Sequence, residues 1–237
     1  MQIKLEHLDA ESAWQRIIRA HEIYHTNLKN YKYSYEMFIP DDDRMRQMFE
    51  QPKLTEQQIQ HYHDIFVNEI YKLSDLKHQD NNIKTAILHV QNRIKTHIEP
   101  LLPAWGAKLP ETLTITCAYG YGGGYKDGDY SVINFRMSRD KRNDYGIYLL
   151  FMHELVHILI ENPIIRQHNV PQDLKESIVE IIGFELFDKK RSLKCFSNPF
   201  AKPYITPEAI RTDLAGAVKK MMVDYNAIKQ QQNAPER

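Results

Sequence analysis

Apolar residues recur at helical spacing through the first hundred positions. Ala13, Ile17 and Ile18 form one stripe, Leu54, Ile59, Phe66, Ile70 and Leu73 a second, and Ile83, Ile87, Val90, Ile94 and Ile98 a third. Spacing by threes and fours predicts amphipathic helices. Asp9 and Thr55 are placed to start two of them, and Pro40, Pro52 and Pro100 punctuate the segment. The region reads as a helical scaffold. Its histidines, His61 and His63 among them, show no pairing with carboxylates or cysteines that marks a second metal site.

The pattern changes after Pro103. Residues 112–116 (TLTIT) are β-branched and strand-like, a glycine cluster occupies 120–124, and Asp127-Gly128 signals a turn. Residues 131–137 alternate, with Ile133, Phe135 and Met137 on one face and Val132, Asn134 and Arg136 on the other. A phosphate-binding loop is excluded here, because no Gly-Lys-Ser/Thr follows and the next element is a strand. Two helices are predicted over 144–161 and 173–190, the first stopped by Asn162-Pro163. A further amphipathic helix over 207–228 carries Ile210, Leu214, Val218, Met221 and Met222. The expected fold is α+β and mostly helical, with a helical N-terminal region over 1–110. The core over 111–237 holds a small sheet, an active-site helix and a C-terminal helix.

Composition narrows the function. With 31 basic and 31 acidic residues, no surplus of positive charge exists to bind phosphate backbones or anionic lipid, so neither nucleic acid nor membrane is an expected partner. Two cysteines, Cys117 and Cys195, cannot make a disulfide scaffold. The first residues carry charges throughout, and the longest apolar run, 147–160, is interrupted and too short for a bilayer. A cytoplasmic location is the resulting expectation.

Within that apolar run stands His153-Glu154-Leu155-Val156-His157, the H-E-x-x-H pattern. On a helix the two histidines fall on one face a turn apart, where both imidazoles reach one ion. Glu154 sits beside them, placed to take a proton from water. From the composition, such a pattern arises by chance about 0.03 times in a chain of this length. Burying two imidazoles and a carboxylate in an apolar helix is costly unless they are paired or coordinated, and a metal removes the cost. A catalytic zinc needs a third protein ligand. Glu176, Glu180 and the intervening His168 are the candidates. Val179, Gly183 and Phe187 follow Glu176 at helical intervals, so Glu176 faces inward, with Gly183 expected to let the two helices approach closely. The competing role for Glu176 is a capping box with Asp173. With Glu176 as ligand, Glu180 holds a ligand histidine through its other ring nitrogen.

The H-E-x-x-H segment followed by Leu174-Lys175-Glu176-Ser177-Ile178-Val179-Glu180 resembles the gluzincins, the thermolysin-like and aminopeptidase-like zinc metallopeptidases. The resemblance covers about residues 113–190. It implies a zincin-like core and hydrolysis of peptide bonds at zinc held by His153, His157 and Glu176. It also implies Glu154 as general base and a peptide or protein substrate. The strand over 131–137 resembles the edge strand that binds extended substrate in this group, with Asn134 as a substrate contact. Tyr204 is the nearest candidate for the downstream residue that stabilises the oxyanion. Two rival readings remain. Peptide deformylase also combines a cysteine ligand, here Cys117, with H-E-x-x-H, although Thr116-Cys117-Ala118-Tyr119 does not match that family's cysteine motif. A zincin-like domain could also bind zinc for structure or recognition without turnover.

Overall fold

The computed structural model describes residues 1–26, 39–119, 124–126, 129–136, 144–187 and 198–232. The chain gathers into two compact units, each drawing residues from both sides of position 110. One comprises residues 1–85 and 111–144, the other 86–110 and 145–237.

The first unit is built on a sheet of strands β1 (Gln2–His7), β2 (Thr112–Ala118), β3 (Gly124–Lys126) and β4 (Asp129–Arg136), ordered β1-β2-β4-β3. β1 runs parallel to β2 and β2 parallel to β4, while β3 is antiparallel to β4. The coarse α+β expectation is met. However, β1 is a strand where helical structure was expected. Its Ile3 and Leu5 alternate with Gln2, Lys4 and Glu6, a half-buried strand pattern, and β2, more than a hundred residues later, offers it an edge.

Helices α1 (Ala10–Thr26), α2 (Asp43–Glu50), α3 (Glu56–Ile65) and α4 (Leu73–Lys77) belong to the same unit. The predicted starts hold. The Asp9 carboxylate accepts the Ser12 N–H at 2.7 Å, and Thr55 with Gln58 forms a reciprocal capping box. Trp14, fully packed, lies 5.8 Å from the Phe66 ring and 5.6 Å from His63. His63 is ion-paired, its Nε2 2.8 Å from Glu11 Oε2 and its Nδ1 3.2 Å from Asp64 Oδ1, but among the described residues it joins no group that could hold a metal. The Glu11 partner comes from α1, 52 residues away, which no local spacing reveals. Glu11 is mostly exposed, so the contact is a surface ion pair.

In the second unit, α5 (Asp80–Arg93) enters from the first and continues through wider turns at Ile94–Ile98 into α6 (Leu102–Trp105). Gly106, at φ +60°, closes α6 in the left-handed conformation that glycine adopts without strain. Trp105 is buried and donates its indole N–H to the Ile210 carbonyl at 2.8 Å. There follow α7 (Asp144–Ile160), α8 (Gln172–Leu186), α9 (Pro207–Thr212) and α10 (Leu214–Gln232). The tail is therefore two helices instead of one. Asp213 interrupts it, using its side chain to accept the Gly216 N–H at 2.8 Å, as an N-cap does. Ile210, Leu214, Val218, Met221 and Met222 are buried as the stripe predicted.

Asn162-Pro163 does not end the helical path. The α-helix stops at Ile160, and wider turns carry the chain through Pro163 to Arg166. Proline lacks the N–H that regular α-turns require, and a wider register accommodates the missing bond. Asp144–Arg166 is then 23 residues long and apolar enough, by length and composition, to cross a membrane. Its most apolar 18-residue stretch is 72% buried within the protein, as expected of a core helix.

The strand carrying Asn134 is also not an edge. β4 pairs with β2 through residues 132–136 and with β3 at Ile133 and Asn134. Ile133 and Phe135 are buried, and so is Asn134, at 4% exposure on the opposite face. Alternation identified the strand correctly, but a parallel sheet can bury both faces, so a polar residue in the pattern need not face water. Residues 120–123, the Asp127-Gly128 turn and Met137 lie outside the described residues. This arrangement makes Asn134→Pro severe, because no solvent edge exists to receive a residue without an N–H. The variant should lose about 3 kcal/mol or more of stability, read by denaturant unfolding. A near-wild-type unfolding midpoint would show β4 to be open on one side.

Candidate metal centre

α7 is apolar almost all round, and His153, Glu154 and His157 are the exceptions along residues 147–160. The i, i+4 spacing brings the imidazoles together, with Nε2 atoms 3.1 Å apart. α8 delivers the third group: Glu176 Oε2 lies 3.3 Å from His157 Nε2 and 3.6 Å from His153 Nε2. The other oxygen, Oε1, accepts the Gln172 side-chain amide at 2.6 Å, which orients the carboxylate. His157 is buried, whereas His153 and Glu176 each expose about a quarter of their side chains.

The capping-box alternative for Glu176 is not realised. α8 begins one residue earlier, after an N-cap at Pro171, and the Asp173 carboxylate accepts the Asn198 amide at 2.7 Å. Gly183 also differs from expectation: a Cβ there would meet nothing within 4 Å, so no close helix approach depends on it.

The three donors fit a cation. An ion with tetrahedral ligands at about 2.0–2.1 Å spaces neighbouring donors about 3.3–3.4 Å apart. The separations here, 3.1, 3.3 and 3.6 Å, bracket that value. Two facing imidazole nitrogens repel unless a proton or a cation lies between them, and the adjacent carboxylate favours positive charge there. His153, His157 and Glu176 are the group of three among the described residues that could hold a metal. Their titration reflects the same geometry. Burial opposes charge on His153, but the carboxylates of Glu176, Glu154 and Glu180 outweigh it and raise its pKa. His157 is depressed, chiefly by burial. Burial also pushes Glu176 upward, yet its contacts with the two histidines hold it well below the usual carboxylate range.

Glu154 is almost completely buried, and burial raises its carboxyl pKa to about 7. A carboxyl so placed can both take and release a proton near neutrality. Glu180 is half-buried one turn beyond Glu176, close enough for its charge to act on His153. Tyr204 is engaged elsewhere: its hydroxyl donates to Asp224 Oδ2 at 2.8 Å and its ring packs beside Phe200. Asn134 is buried in the sheet, and among the described residues no donor reaches its Oδ1. Cys117 is fully buried in β2, where burial pushes its thiol up to about 12, so it stays protonated, unlike a metal-bound cysteine. The sequence reading passed over Glu161 and Lys175. The available signal was spacing, since Glu161 continues the 153–157 interval by another four residues.

Comparison with known protein families, curated proteins and solved structures finds no match to this chain.

The Glu154 environment makes a prediction for protein stripped of metal. A carboxyl raised from its ordinary 4.5 to about 7 stabilises the fold fully below pH 4.5, and that contribution disappears as pH rises through 7. Chelator-treated Glu154→Gln should therefore melt higher than chelator-treated wild type at pH 8. The difference should close as pH falls towards 4.5. Equal melting temperatures across that range would mean that Glu154 carries no buried charge.

Proposed function

We propose that the chain is a zinc-dependent metallohydrolase of the gluzincin kind that cleaves peptide bonds. The convergence of His153, His157 and Glu176 from two helices, at donor spacings suited to a tetrahedral ion, carries this reading. Two imidazoles and one carboxylate are a donor set used by catalytic zinc, and they leave a fourth position for substrate or water. When bound, zinc supplies Lewis acidity, making water acidic near neutral pH and polarising a carbonyl oxygen.

The protein's own groups do the rest. His153, His157 and Glu176 would hold the ion, with Gln172 fixing the aim of Glu176. Glu154, buried among apolar neighbours with a pKa raised to about 7, accepts the proton at its carboxylate and returns it to the leaving nitrogen. Its burial keeps bulk water from levelling that exchange.

A second reading, a zinc-holding domain without turnover, is favoured by two placements. Tyr204 is committed to Asp224, and Asn134 is interior to the sheet, so neither is free for an oxyanion or a substrate. The two readings part on the behaviour of Glu154.

Elemental analysis of protein purified without chelator should find one zinc per chain. Glu176→Ala should weaken zinc affinity by about 100-fold or more, since outer contacts alone are worth 10- to 100-fold. Zinc-free wild type would refute both readings. Glu154→Gln should keep the metal and lose about 10²–10⁴ in turnover of an unfolded protein substrate. A zinc-loaded wild type that cleaves nothing supports the domain without turnover, and a Glu154→Gln variant of undiminished rate removes Glu154 from the chemistry.

A further inference from the structure

The stripe that carries His153 and His157 does not end with them. Glu161, four residues further, lies where α7 gives way to wider turns, and it is buried, at 7% exposure. Its two oxygens are divided between two cations. Arg166, in the same stretch of wide turns, places Nε 3.3 Å from Oε1, and Lys175 places Nζ 3.8 Å from Oε2. Lys175 belongs to α8 and immediately precedes Glu176. Its side chain is 13% exposed, so this contact is shielded from the solvent screening that weakens surface pairs. The ion pair therefore joins the helix that provides two of the three candidate ligands to the first turns of the helix that provides the third.

We infer that Glu161 and Lys175 are a positioning pair that sets the rotation of α8 and so aims Glu176 at the two histidines. Neighbouring helical residues point about 100° apart, so tethering the Lys175 side chain fixes the direction of the next one. A carboxylate sits roughly 6 Å from its helix axis, and a rotation of about 20° would move it about 2 Å. A working site tolerates about 0.5 Å. The loop over 167–171 bounds how far α8 can drift along its axis, but a loop does not control rotation. The charge of Lys175 also acts on Glu154 and His157, which places the ammonium within electrostatic reach of the centre it positions.

The inference rests on the metal-centre reading, and Co²⁺ uptake tests the two separately. Cobalt reports tetrahedral coordination through its visible absorption without any need for turnover. Lys175→Met keeps the apolar stem of the side chain and leaves Glu161 with Arg166, so no carboxylate is orphaned. It should fold with a wild-type circular dichroism spectrum, bind Co²⁺ about tenfold or more weakly in chelator competition, and show an altered visible spectrum. Lys175→Arg, which restores the cation, should return affinity to within about threefold of wild type. If Lys175→Met fails to fold, the double variant Glu161→Gln/Lys175→Met removes both charges together and carries the same comparison. Wild-type Co²⁺ affinity and spectrum in the folded charge-free variant, or no recovery in Lys175→Arg, would overturn the positioning role while leaving the metal centre standing. A wild-type protein that takes up no Co²⁺ would overturn the metal centre, and the positioning role with it.

Discussion

Two imidazole nitrogens held 3.1 Å apart on a buried helix leave few options. Double protonation is opposed by repulsion in a largely buried site, and two bare nitrogens are opposed because their lone pairs would face each other. A shared proton or a cation between them relieves the conflict. Glu176 lies beside both nitrogens as a counter-charge: with its neighbouring carboxylates it raises His153, while burial depresses His157. Without a proton or a cation there, the apolar helix α7 retains groups it has poor means to bury. A proton can fill the role weakly. The spacings among the three donors also suit a larger and more highly charged occupant.

The parts of this centre that were legible in the sequence are those fixed by local geometry. The interval between His153 and His157 follows from the pitch of a helix, and the inward face of Glu176 from the apolar residues that share its stripe. The caps at Asp9 and Thr55 are likewise contained within four residues each. What was not legible depends on neighbours distant in the chain. Alternation located β4, but no pattern within it tells whether β3 pairs on its far side, so Asn134 looked solvent-facing when it is enclosed. His63 found Glu11 across 52 residues, and Tyr204 found Asp224 across 20. Tyr204, which looked available to a substrate, was already bonded.

Breaks in helices were intermediate. Pro163 is visible to any reader, and its missing N–H does end the regular α-helix nearby. Whether the chain then turns away or continues in a wider register depends on what the next turn can bury. Here it buries Ile164 and Ile165 and brings Arg166 to Glu161, so the path continues. Asp213 is the reverse case. It stands within an unbroken apolar stripe, and capping of its own new helix outweighs continuity of the old one.

The pairing of β1 with β2 has a consequence for how the chain reaches its fold. Residues 2–7 must wait for residues 112–117, so the sheet of the first unit has high contact order. At ribosomal speeds of about 5–20 residues per second, some 5–20 s separate the emergence of the two strands. During that interval α1 to α4 can form, but the strand they accompany has no partner. The second unit takes its first segment, residues 86–110, before the first unit can close. Synthesis thus begins the second unit while the first is still open, and the first can finish only once β2, and after it β3 and β4, have emerged.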